Sequence, residues 1–99
     1  MAIAEVTIIP IGTGSTSLSS YVADLQRVLD KQEGITFTLT SMTTIIEGDL
    51  DHVFAAIRAI HEAPFQAGAG RVSTAIKIDD RRDKASSSEQ KLRSVREKM

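Results

Sequence analysis

The spacing of apolar residues switches between two periods along this chain, and the order of the switches restricts the fold more than any single motif. Ala4, Val6 and Ile8 alternate with Glu5 and Thr7 within residues 3–11, the two-residue period of a half-buried strand. From Leu18 the step lengthens to three and four through Val22, Leu25 and Leu29, with Asp24, Arg27, Asp30 and Lys31 on the other side, which predicts an amphipathic helix ending at Gly34. Ile35, Phe37 and Leu39 then alternate with Thr36, Thr38 and Thr40, and Thr44 to Glu47 form a further short strand after a turn at Met42 and Thr43. Gly48-Asp49 breaks that strand. Leu50, Val53, Ile57 and Ile60 give a second helical stripe, capped by Asp49, with Asp51 in the first turn and Pro64 and Gly68-Ala69-Gly70 at its end. Residues 71–79 alternate again.

The resulting order, β-α-β-β-α-β, predicts an α+β, ferredoxin-like sandwich: a four-stranded antiparallel sheet with two helices on one face. Val6, Ile8, Phe37, Leu39, Ile46, Ile76 and Ile78 are expected to face the helices. Glu5, Thr7, Thr36, Thr38, Ser73, Ala75 and Lys77 cover the opposite face, which either meets water or packs on another subunit. Pro10 has no N–H, so pairing of the first strand is expected to stop near it. Residues 1–80 are read as one domain. The charged tail 81–99 offers only Leu92 and Val95 as a stripe and is expected to form a short helix ordered mainly by packing on a neighbour.

Ninety-nine residues make a small core, which favours oligomerisation. A net charge of −1 gives no basic face for nucleic acid, and the expected central strands carry Glu5, Thr7 and Ile45 where an RNA-recognition sheet would place aromatics. No cysteine is present, which excludes a disulfide framework and a thiol nucleophile. The N-terminal residues alternate and lack the basic flank of a signal peptide, and no run reaches the roughly 20 apolar residues of a membrane span. The cytoplasm is the expected compartment.

Two stretches carry candidate chemistry. Gly12-Thr13-Gly14-Ser15 joins a strand to a helix, where backbone amides can hold an anion, but it lacks the third glycine of a dinucleotide fingerprint and the lysine of a P-loop. The simpler reading is a flexible turn with a hydroxyl cap. Thr40 to Asp51 gathers the hydroxyls of Thr40, Ser41, Thr43 and Thr44, the soft side chain of Met42 and the carboxylate of Glu47. Hydroxyls both donate and accept, a thioether covers a ring, and a carboxylate accepts from an amino group or a ring N–H⁺, so the set suits a polar small molecule. The bland alternative leaves Thr43 and Thr44 as strand residues and Glu47 as an exposed side chain. Ser15 has no evident base, no general acid–base pair is visible, and His52 and His61 stand nine apart, out of phase on one helix. No catalytic residue, metal ligand or cofactor is assigned.

Over nearly its whole length the chain resembles the small thiamine-binding proteins, long known only as uncharacterised ferredoxin-like proteins. The resemblance is carried by Ile9-Pro10-Ile11-Gly12-Thr13-Gly14-Ser15, Tyr21-Val22, the run Leu39 to Leu50, His61-Glu62-Ala63-Pro64-Phe65, and Arg71-Val72 through Lys77 to Arg82. It implies a homo-oligomer, a dimer or a dimer of dimers built through the sheets, that binds thiamine or its pyrimidine precursor and is not an enzyme. It further implies ligand contacts from Thr13, Gly14 and Ser15 in the first loop and from Met42, Thr43, Thr44 and Glu47 in the second. A structural or oligomerisation module without a working small-molecule site is the alternative.

Overall fold

A computed structural model of the chain describes residues 1–84 and 87–99. Its elements run β1 (Ala2–Ile11), α1 (Ser19–Asp30), β2 (Ile35–Leu39), β3 (Thr44–Gly48), α2 (Leu50–Gln66), β4 (Arg71–Asp80) and α3 (Ser88–Lys98). The sheet order is β2-β3-β1-β4 with every neighbouring pair antiparallel, the ferredoxin-like arrangement expected from the periodicity. Residues 85 and 86 of the tail read as 81–99 lie outside the described residues.

Alternation fixes which side of each strand is dry. Ala2, Ala4, Val6 and Ile8 of β1 and Ile46 of β3 are buried with Leu25 and Leu29 of α1 and Val53, Ala56, Ile57 and Ile60 of α2, forming one core between sheet and helices. Leu39 and Ile76 share the helix-bearing face through their pairing with Thr44 and Val6, yet they are 52% and 46% exposed. Both sit on outer strands, where the helices no longer cover them. Their burial was overestimated by a rule that knows faces but not edges.

β1 ends one residue past Pro10, close to where the missing N–H placed its end, although Pro10 itself still pairs. Pairing continues through Pro10 and Val72 to Ile11 and Arg71. The pairing with β3 has already ended at Val6 and Thr44, so beyond that point β1 has a neighbour on one side only, a position that tolerates a residue without N–H.

Helix ends also differ in detail from the sequence reading. Leu18 is the N-cap of α1 and no side chain caps it, because the loop hydroxyls bond within the loop. Asp49 does occupy the N-cap of α2 with extended backbone, without a side-chain cap bond. Pro64 lies inside the last turn of α2 rather than ending it, and the stop comes at Gly68, whose φ is +103°. Ala69 N–H donates to the Pro64 carbonyl at 2.9 Å and Gly68 N–H to the Phe65 carbonyl at 3.1 Å, the two bonds of a Schellman motif.

At the opposite end of the sheet, Gly34 has φ +74° and a Cβ there would meet the His52 ring at 2.6 Å. A Cβ on Gly48 would stand 2.5 Å from the Gly34 carbonyl oxygen. This tight seam seats the start of α2 against the α1–β2 turn.

Candidate ligand-binding site

Because β3 pairs with β1 only as far as Val6, the flank of β1 from Thr7 onward is left without a strand neighbour. A cavity of about 300 Å³ occupies that notch. Its walls are Val6 to Ile9 of β1, Leu18, Val22 and Leu25 around α1, the β2–β3 connection from Leu39 to Thr44, and Ile60 of α2. This size stands at the lower end of the ~300–1,000 Å³ range of small-molecule sites. No charged side chain lines it. The floor is aliphatic, and Thr7, Thr40, Ser41, Thr43 and Thr44 supply hydroxyls.

The turn at the mouth is held by its own hydrogen bonds. Thr40 N–H donates to the Thr43 carbonyl at 2.8 Å, as does the Thr40 hydroxyl, which also accepts from Thr43 N–H at 3.0 Å. Met42, which with Ser41 forms the tip between them, is 80% exposed and lines the opening. On the inner side, Gln26 Nε2 donates to the buried Thr44 hydroxyl at 3.2 Å, so α1 and β3 are tied directly beneath the cavity.

A second, shallower concavity of about 410 Å³ is formed by Ile9, Pro10, Gly12 to Thr16 and Leu18. It shares Ile9 and Leu18 with the first, so the two are continuous along β1. Gly12 and Gly14 hold φ of +80° and +73°, a backbone that only glycine adopts without strain. The Thr13 hydroxyl donates to the Ser15 carbonyl at 3.1 Å and Ser17 N–H to the Ser15 hydroxyl at 3.1 Å, which gives the loop local order.

The structure therefore brings Met42, Thr43 and Thr44 to the cavity and Thr13, Gly14 and Ser15 to the adjoining loop. Glu47 is not with them. Thr44 and Glu47 are three apart on one strand and so point to opposite faces: Thr44 is buried toward the helices, while the Glu47 carboxylate accepts from the backbone N–H of Ser88 at 2.6 Å, at the first turn of α3. There it meets the positive end of a helix. Lys91 of α3 also pairs with Asp79. Sequence reasoning missed Val22, Leu25 and the β1 flank as walls of the cavity; their apolar stripe marked them only as core.

Elsewhere, His61 Nδ1 lies 2.7 Å from the Thr74 hydroxyl and its ring meets Phe65 edge-on at 5.6 Å, so this histidine is engaged between α2 and β4 rather than solvated. Among the described residues no group of three or more histidine or acidic side chains is placed to hold a metal ion. No helix among them is long and apolar enough to cross a membrane.

Comparison with known proteins gives the site its context. A family described as "Thiamine-binding protein" matches residues 4–96. UPF0045 protein YqgV of Bacillus subtilis is 59% identical over 98 residues, covering 96% of this chain and 94% of the relative. The crystal structure of hypothetical protein MJ1052 from Methanocaldococcus jannaschii superposes with a TM-score of 0.85 at 36% identity, over 97% of this chain and 96% of that one. A putative thiamine biosynthesis/salvage protein from Thermotoga maritima shares the fold, with a TM-score of 0.75 at 13% identity over 95% of this chain and 97% of that one. With a family match spanning both loops, the cavity and all but the first two residues of the sheet, this chain belongs to the thiamine-binding protein family.

Proposed function

We propose that the protein binds thiamine or a thiamine-related pyrimidine without transforming it, as a carrier, buffer or sensor. The observation that carries this reading is the uncharged notch beside β1 in a member of that family. An aminopyrimidine is flat, apolar on its faces and lined at its edge with donors and acceptors. The aliphatic floor suits the faces. The hydroxyls of Thr7, Ser41 and Thr43 and the strand flank of β1 beyond Val6 suit the edge. Met42 covers the ring from the mouth through its thioether. The thiazolium half, which carries the positive charge, extends toward the mouth and the Gly12–Thr16 loop, where water keeps it solvated. Glu47 serves α3 in this reading and does not touch the ligand. A binding role fits a cavity in which no acid–base pair faces the ligand.

Titration calorimetry with thiamine and with its separate pyrimidine and thiazole halves tests the proposal. Micromolar binding of thiamine or the pyrimidine half, near one site per chain, is the expected result. Absence of heat and of thermal stabilisation at millimolar ligand would overturn it and leave a structural module.

A further inference from the structure

Charge is divided unevenly along the chain. Residues 81–99 hold seven lysine or arginine side chains and three acidic ones, whereas residues 1–80 hold five and ten. The basic tail gathers part of its charge in one place. A concavity of about 250 Å³ is lined by Arg81, Lys84, Gln90, Lys91, Ser94 and Lys98. Gln90, Ser94 and Lys98 follow one another at steps of four along α3, with Lys91 beside them, so all four share one side of that helix. Arg81 and Lys84 reach the same hollow from the segment that leaves β4. Among the described residues no acidic side chain is part of its walls, although α3 itself carries Glu89 and Glu97.

Two of the four cations are already balanced. Arg81 donates through Nε and Nη2 to Asp83, at 2.5 and 2.8 Å, and Lys91 pairs with Asp79. Lys84 and Lys98 have no carboxylate within ion-pair distance among the described residues. Two uncompensated ammonium groups around one hollow repel each other unless an anion sits between them. We infer that this hollow binds a small multivalent phosphate anion of the diphosphate class. The lysines supply point charges, Arg81 the Nη1 donors that Asp83 does not engage, and the Gln90 amide and Ser94 hydroxyl neutral donors. Phosphate oxygens accept from all of these. The hollow is smaller than the ~300–1,000 Å³ of sites for drug-sized molecules. The acidic excess of residues 1–80 repels an extended polyanion, so a small ion fits where a nucleic-acid strand does not. The start of α3 is not the binding element, because Glu47 and the Ser87 hydroxyl already accept from the Ser88 and Gln90 amides. The site is also separate from the notch. Glu47, which holds α3, pairs with Ile3 at one end of β1, whereas the notch opens along Thr7 to Ile9 at the other.

Titration calorimetry of the full chain with sodium pyrophosphate at low ionic strength tests this assignment. We expect one site per chain with a submillimolar Kd. Lys84→Gln combined with Lys98→Gln should weaken binding about tenfold or more, because the two unpaired charges are lost. Arg93→Gln combined with Arg96→Gln removes the same charge from the same tail outside the hollow, and should change the affinity less than about threefold. All four positions are exposed, and far-UV circular dichroism checks that both variants keep the fold. Methyl diphosphate in place of pyrophosphate tells the source of the anion: equal affinity supports the diphosphate end of a larger ester, weaker affinity the free ion. Absence of heat at millimolar pyrophosphate would overturn the proposal. So would equal losses in the two double variants, which would mean diffuse attraction to the tail, or tighter binding of a single-stranded oligonucleotide than of pyrophosphate.

Discussion

Gln26 on α1 donates to the hydroxyl of Thr44 on β3 at 3.2 Å, and this is the bond that fixes the helix at the wall of the cavity. Thr44 is only 7% exposed, so the pair is shielded from water. Thr44→Val keeps the shape of the side chain and removes the acceptor, leaving a partly buried amide without a partner. The expected cost is about 1–2 kcal/mol, a fall of several degrees in Tm by calorimetry. Weaker ligand binding should accompany it, since α1 loses its anchor. An unchanged Tm would show that water replaces the bond.

Val22 lines the cavity from α1 and is only half-buried. Val22→Phe fills the space without disturbing the core layer of Leu25 and Leu29. We expect at least tenfold weaker binding of the pyrimidine half, with far-UV circular dichroism and Tm unchanged or raised. Undiminished affinity would move the ligand out of the notch.

Glu47→Gln keeps an acceptor for Ser88 N–H but removes the negative charge at the helix start. Hydrogen exchange of the first α3 amides should accelerate several-fold, while ligand affinity should stay within about twofold. A large loss of affinity would instead put Glu47 at the ligand.

Gly34→Ala meets two penalties at once, a left-handed backbone at φ +74° and a Cβ placed 2.6 Å from the His52 ring. The backbone part is about 1–2 kcal/mol. Chemical denaturation of Gly34→Ala, His52→Ala and the double variant separates the two. The double variant should recover the steric part and retain the backbone part.

Both carboxylate oxygens of Asp83 accept from the Arg81 guanidinium, at 2.5 and 2.8 Å, and this holds the carboxyl at about 2. Arg82 likewise lowers Asp80 through a side-chain hydrogen bond. A lowered carboxylate stabilises the fold above its free value of ~3.9, and the contribution is lost as pH falls through about 2. The Arg81–Asp83 pair and the Arg82 guanidinium are solvent-exposed while Asp80 is partly buried, so salt screens both pairs and the effect on Tm is small. Carbon-detected NMR titration should place the Asp83 midpoint near 2 at low salt. A midpoint near 3.9 would mean that the arm is unpaired in solution.

The sequence by itself determined the element types and their order, because the period of the apolar residues depends only on backbone geometry: two for strands, three and four for helices. It also determined that Thr44 and Glu47 point to opposite faces of β3, since residues three apart on a strand face opposite ways. Reading Thr40 to Asp51 as a single cluster of chemistry overlooked that parity. What only the tertiary structure decided depends on where pairings stop. The notch exists because β3 leaves β1 at Val6, and Glu47 finds its partner forty-one residues away at Ser88. The exposure of Ile76 follows from β4 lying at the sheet edge. Strand length, strand order and long-range caps are set by how all the elements close around one core, and no local window of residues carries that information.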